Sequence, residues 1–116
     1  DLEVNVGDYH LFEIDGNPVG CFSLTIFTEA NAAELGAVCV SSAHENQGIG
    51  RKLVEYAEKL CRDRGLNKLF VLSTQTFKWF QSKAGFTEGK LDDLPNARRI
   101  VAKESGRKSK VLFKPL

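Results

Sequence analysis

The sequence predicts an α/β (α+β) fold, a mixed and mostly antiparallel sheet built around one parallel βαβ unit, and three stretches predict it. A hairpin pattern lies near the N-terminus. Next comes an apolar strand that runs through a polar loop and a glycine pair into an amphipathic helix. A short, continuously apolar run follows that helix.

In order along the chain, Tyr9–Ile14 alternates and residues 19–27 are again rich in strand formers. Asp15-Gly16-Asn17-Pro18 between them is turn chemistry, so the pair reads as a hairpin. Residues 28–33 form a small polar link, and residues 34–40 form the next strand. Gly36 inside that strand marks a bulge or a close backbone approach. From Ile49, the positions Leu53, Val54, Ala57, Leu60 and Cys61 keep helical spacing. Glu55 with Lys59 and Glu58 with Arg62 form i,i+4 pairs on the expected solvent side.

Gly65 ends this helix, and residues 68–72 form a strand reached by helical crossover, hence parallel to the strand ending at Val40. Residues 73–76 offer hydroxyl caps for a short helix carrying Phe77, Trp79 and Phe80, stopped near Gly85 before Phe86 re-enters the core. Residues 91–95 are a turn, 97–104 a helix or irregular, and 110–113 a last strand.

At 116 residues the chain is read as one domain, 1–116, with a real core. Sixteen basic against 15 acidic side chains select no polyanionic partner. Residues 98–110 do carry six basic side chains and one acid, but no aromatic interleaves them to stack bases. The neighbouring Asp92 and Asp93 oppose a phosphate track, so no nucleic-acid partner is expected.

Cys21, Cys39 and Cys61 are odd in number and far apart, which favours a reducing, cytoplasmic compartment over a disulfide framework. His10 and His44 stand outside any cluster at metal spacing, so no metal is expected. No apolar run approaches the roughly 20 residues of a membrane span, and the polar N-terminus is no signal peptide. Without an initiator Met, the chain reads as an N-terminally truncated domain.

Gly48 and Gly50 lack the Cβ that holds a phosphate away, and the first turn of the following helix leaves its N–H groups without internal partners. Those amides and the positive helix end favour a pyrophosphate. A dinucleotide fingerprint would need a third glycine at Leu53, and a phosphate-binding Walker loop would need Lys and then Ser or Thr directly after Gly50. Arg51 and Lys52 stand there instead.

Residues 35–60, together with WFQSKAGF at 79–86, resemble the GCN5-related N-acetyltransferases (GNAT). The resemblance implies that the loop amides hold the acetyl-CoA pyrophosphate while the preceding bulged strand pairs with the pantetheine arm. It assigns Val38, Cys39, Val40, Gln47, Gly48, Ile49, Gly50 and Arg51 to the cofactor. The superfamily often has Arg or Gln three residues before the first glycine; here Glu45 stands there, and it repels phosphate unless it points away. In that superfamily a strand and two helices usually precede the hairpin, and this chain shows no counterpart of the helices.

The segments AELGAVCV, LFVLSTQTFKWF, LDDLPNARR and GRKSKVL, in this order, resemble the acetyltransferase domain of the N-acetylglutamate synthases, with WFQSKAGF one residue longer than that family's usual version. This narrower resemblance implies transfer of acetyl to the α-amino group of L-glutamate, as in arginine biosynthesis. It assigns Arg98, Arg107 and Ser109 to the substrate carboxylates, Glu34 to the base and Ser73 to the proton donor for the departing thiolate.

The chemistry suits those residue types, because guanidinium forks bind carboxylates bidentately and an ammonium must lose a proton before it attacks. Backbone N–H of Val38 or its neighbour, beside the strand interruption, suits an oxyanion. Each assignment has a structural counterpart: a wet basic segment for the arginines, an edge-strand glutamate for Glu34 and a helix cap for Ser73. Trp79 and Phe80 read as core. Transfer to another amine, a non-catalytic acyl-CoA-binding module, and an acceptor site completed by an upstream domain or a second copy all remain open.

Overall fold

The computed structural model describes residues 2–6, 9–45, 47–73, 76–105 and 109–116. Seven strands are described: β1 (Leu2–Val6), β2 (Tyr9–Ile14), β3 (Asn17–Phe27), β4 (Ala32–Val40), β5 (Lys68–Ser73), β6 (Thr87–Glu88) and β7 (Lys110–Pro115). Three α-helices join them, α1 (Ile49–Asp63), α2 (Phe77–Lys83) and α3 (Asn96–Ser105). The strands lie in the order β1-β2-β3-β4-β5-β7-β6. Every neighbouring pair is antiparallel except β4 with β5, which α1 connects in parallel, as the sequence predicts.

The β2–β3 hairpin turns through Asp15 and Gly16, both with positive φ (51° and 80°), the backbone that a two-residue turn needs to match strand twist. The polar first residues form β1, which the sequence reading did not anticipate; Leu2, Val4 and Val6 alternate with Glu3 and Asn5 along it. The second departure is at Glu58. It is buried, with 4% exposed, rather than solvated, because Arg62 and Lys114 both bridge its carboxylate, at 3.2 and 3.1 Å. The exposed pairs on α1 are Arg51 with Glu55 and Lys59 with Asp63.

Helix α1 ends where Gly65, at φ +74°, lets its N–H bond Arg62 O while the Leu66 N–H bonds Cys61 O. Its apolar face buries Leu53, Val54, Ala57 and Cys61 against Phe22, Leu35 and Leu69 of the sheet. Each buried Leu, Val or Phe among them contributes about 1.5–3 kcal/mol. On the opposite face, Phe70 and Val111 meet Leu94 and Ala102 of the α3 region. Strand β5 is therefore buried on both faces, which is why its sequence is continuously apolar.

Two irregularities in β4 shape the site. Between the pairs Cys21↔Cys39 and Ser23↔Gly36, β3 advances two residues and β4 three, so one extra residue bulges β4. On its other edge, β4 pairs with β5 only from Ala32↔Lys68 to Glu34↔Phe70. Beyond Glu34 the two strands part.

Candidate active site

A cleft of about 730 Å³ opens between the end of β4, the start of α1 and the face of α2. Val38 and Val40 form its β4 wall, Glu45, Gly48, Ile49, Gly50 and Arg51 its loop and helix end, and Thr76, Trp79, Phe80 and Lys83 its far wall. Gly48 is the N-cap of α1, at φ +76°, and no side chain caps the helix. The bond from Lys52 N–H to Gly48 O, 3.1 Å, starts the helical ladder, so the amides of residues 49–51 lack carbonyl partners inside α1.

The two glycines serve different ends. A Cβ on Gly48 meets nothing within 4 Å but is opposed by the positive φ, whereas a Cβ on Gly50 stands 3.2 Å from Trp79 Cζ2 and 3.7 Å from Val40 Cγ2. Gly48 thus bends the loop to expose amides, and Gly50 lets α1 approach α2 and β4. The positive end of a 15-residue helix, with Arg51 and Lys83 on the walls, gives the cleft an anion-accepting character. Glu45 also lines this cleft and is exposed to solvent. His44 also lines the cleft, and its Nδ1 is buried without a hydrogen-bond partner.

A second cavity, about 340 Å³, lies where β4 and β5 part, beneath α3. Glu34 and Arg98 form its polar wall, with Ser105 and Ser109, and Leu72, Leu91, Val101 and Ala102 complete it. The backbone of Glu34 is held on both edges, by Thr25 on β3 and Phe70 on β5. Arg98 projects from the first turn of α3. Its Nε donates to Glu34 Oε1 at 2.6 Å and its Nη2 to Oε2 at 3.3 Å, with side chains only 23% and 18% exposed. This side-on fork leaves the Nη1 hydrogens and one Nη2 hydrogen for another acceptor.

Ser73, at the end of β5 and 7% exposed, lines neither cavity. Its Oγ accepts the Thr76 N–H at 2.9 Å and is hydrogen-bonded to Thr76 Oγ1 at 2.9 Å, where either hydroxyl can donate. Thr76 itself faces the larger cleft, so the two hydroxyls form a short chain from the strand end to the cleft. The Ser73 hydroxyl, one of those that the sequence offers as a helix cap, thus sits three residues ahead of Thr76, the N-cap of α2.

Of the residues assigned to the cofactor, Val38, Val40, Gly48, Ile49, Gly50 and Arg51 come together around the larger cleft. Gln47 is exposed and lines neither cavity, and the Cys39 side chain lies opposite Cys21 in the ladder, exposed and outside the cleft. Glu34, Arg98 and Ser109 meet in the smaller cavity; Arg107 lies outside the described residues. The sequence reading missed Thr76, His44 and Lys83. Thr76, Trp79, Phe80 and Lys83 share one α2 face at helical spacing, a signal legible in the sequence. Trp79 and Phe80 are both core and lining, packing edge to face at 5.1 Å.

Comparison with known proteins supplies a family. The model of the acetyltransferase (GNAT) family matches residues 3–87. An amino-acid acetyltransferase of Neisseria meningitidis is 35% identical over 99% of this chain, and one of Mannheimia succiniciproducens 36% over the same share. The chain spans about a quarter of those relatives, 26% of each.

Among solved structures, the N-acetylglutamate synthase of Neisseria gonorrhoeae, complexed with coenzyme A and N-acetyl-glutamate, superposes with a TM-score of 0.88 at 35% identity. That match covers 94% of this chain and 26% of that one. Tetrahymena GCN5 superposes with a TM-score of 0.73 at 12% identity, over 95% of this chain and 69% of its own, a likeness of fold alone.

Proposed function

The chain belongs to the acetyltransferase (GNAT) family, and from that premise we propose that it transfers acetyl directly from acetyl-CoA to the α-amino group of L-glutamate. The observation that carries the acceptor reading is the Glu34–Arg98 fork inside the smaller cavity. A molecule that satisfies both groups presents an amine to the carboxylate and a carboxylate to the free guanidinium edge, a few ångströms apart. An α-amino acid has that arrangement and a polyamine does not. Ser109 is positioned to meet a second carboxylate, whereas the Ser105 hydroxyl donates to Ala102 O at 2.8 Å.

In this reading the pyrophosphate rests on the amides of residues 49–51, with Arg51, Lys83 and the buried His44 Nδ1 as further partners. The pantetheine arm runs along the edge of β4 that β5 leaves unpaired, past the bulge. A backbone amide there, at Val38 or its neighbour, stabilises the oxyanion of the tetrahedral intermediate. Glu34 takes the ammonium proton, directly or through water, and the amine attacks the thioester carbonyl. The departing CoA thiolate takes a proton through the hydroxyl pair Thr76 and Ser73, and solvent in the open cleft returns a proton to the pair. No covalent enzyme intermediate forms.

The gonococcal synthase, whose structure holds coenzyme A and N-acetyl-glutamate, supports the same pair of ligands here. Its relatives are about four times longer, so a wall of the acceptor cavity contributed by a further domain or a second copy belongs to the proposal. So does a reducing, cytoplasmic setting, which suits three free thiols. A thiol-release assay with acetyl-CoA and glutamate, glutamine, aspartate or spermidine tests the reading. Glutamate is expected to give the highest kcat/KM; absent glutamate turnover, or equal rates with spermidine, overturns it.

A further inference from the structure

We propose that Cys21 and Cys39 form a reversible thiol–disulfide site across β3 and β4, oxidised by a small-molecule disulfide of the glutathione type. The two residues stand directly opposite each other in the antiparallel ladder, so their side chains leave the same sheet face. Paired Cα atoms in such ladders lie about 4.5–5.5 Å apart, within the roughly 4.4–6.8 Å that a disulfide spans.

Cys39 is exposed and Cys21 half-buried, so a reagent reaches the pair. Cys61 is sealed in the core. The bulge between Gly36 and Cys39 gives β4 the slack to bring the two Cβ atoms to the roughly 3.8 Å that the bond requires.

The chemistry proceeds by two exchanges. Cys39 thiolate attacks one sulfur of the external disulfide and expels one thiol. Burial, and then the neighbouring Cys39 thiol, push Cys21 above the ordinary thiol range, so Cys21 is the resolving group. Its sulfur attacks Cys39 Sγ in the mixed disulfide, loses its proton to solvent and expels the second thiol. Two protein thiols are oxidised to one disulfide, and the external disulfide is reduced to two thiols. Val38 and Val40 flank Cys39 and line the large cleft, so closing the bond shifts the wall that acetyl-CoA touches. Only this consequence rests on the proposed function.

The test is peptide mass spectrometry of the protein treated with glutathione disulfide, paired with calorimetry of acetyl-CoA binding. The expected product is a cross-link of the Cys21 and Cys39 peptides, lighter by two hydrogen atoms and reversed by dithiothreitol. Cys39→Ser gives no cross-link, and Cys21→Ser stops at a glutathione adduct on Cys39.

Oxidation is expected to weaken acetyl-CoA binding by roughly threefold or more, whereas the affinity of Cys39→Ser is the same before and after treatment. Adducts on both thiols without a cross-link, or cross-links only between molecules, overturn the site. An unchanged affinity in the cross-linked protein overturns the effect on the cofactor. No binding in the reduced protein refutes the acetyl-CoA reading instead, leaving the disulfide to the masses.

Discussion

Truncating Arg98 to Ala separates what the fork does for Glu34 from what it does for the acceptor. Of the two contacts, 2.6 Å is a short charge-assisted hydrogen bond and 3.3 Å a long one. Hydrogen bonds to charged groups contribute about 1.5–3 kcal/mol net. Because roughly a fifth of each side chain is exposed, water softens the loss and holds it to about 2 kcal/mol. A loss of that size in a domain of about 100 residues lowers Tm by roughly 8–15 °C.

Removal of the free guanidinium edge also strips the acceptor carboxylate of its bidentate partner. That costs a further 2–3 kcal/mol in the transition state, or about 30- to 160-fold in kcat/KM for glutamate. The acetyl-CoA affinity, which the proposal places in the other cavity, is expected to stay unchanged.

The assay is a double-mutant cycle of Arg98→Ala and Glu34→Gln, read by thermal unfolding and by kcat/KM. Both variants break the same contact, so their stability losses are expected to fall short of additivity by more than about 1 kcal/mol. Arg98→Lys keeps the charge but not the fork, and recovers part of the stability with little of the glutamate turnover. Two results refute the reasoning: additivity within about 0.5 kcal/mol, or an equal loss of rate with an amine that lacks a carboxylate.

Gly48→Ala places an L side chain at φ +76°, at a cost of about 1–2 kcal/mol in unfolding, and weakens acetyl-CoA binding in calorimetry. An unchanged affinity would contradict the role given to the loop amides. Gly50→Ala sets a Cβ 3.2 Å from Trp79 Cζ2 and is expected to cost about 1–3 kcal/mol by overpacking. Trp79→Phe in the same chain should relieve part of that cost, so the double variant is less destabilised than the two losses summed.

Burial pushes the Cys61 thiol up to about 11, the nearby Arg64 opposing and Glu58 adding to the rise. The folded chain therefore holds a proton that the unfolded chain sheds near 9. The stability from this group is whole below pH 9 and is lost as pH rises through 11, a fall of about 2–3 kcal/mol readable by denaturant titration.

The parts of the fold legible in the sequence were those that local chemistry decides. Asp15-Gly16 sets the hairpin turn, Gly65 the end of α1, and the apolar run at 69–71 the doubly buried centre of the sheet. Gly36 announced the bulge, which the register confirms between Gly36 and Cys39.

What escaped depends on partners distant in the chain. Glu58 has helical neighbours that suggest a solvated face, and its burial is offset by Arg62 together with Lys114 of β7, 56 residues away. Glu34 and Arg98 were each picked out singly, yet nothing in their local sequence states that they grip one another across 64 residues. Strand β1 carried a period-two signal, but its Glu3 and Asn5 lower apolar content to that of a loop.

Both cavities trace to β4, because its pairing changes twice within nine residues. Over Ala32–Glu34 it is held on both edges, which fixes Glu34 to the rigid centre of the sheet. From Leu35 onward β5 departs, and the backbone groups of its free edge need partners that the ladder no longer supplies. A cosubstrate arm rich in amides can pair there as a strand would, which orients its thioester toward the point where the ladder resumes. In the proposed reaction that point is Glu34. In that proposal the parting of β4 and β5 holds the donor path and the acceptor cavity in one frame, with the β4 bulge lying along the path.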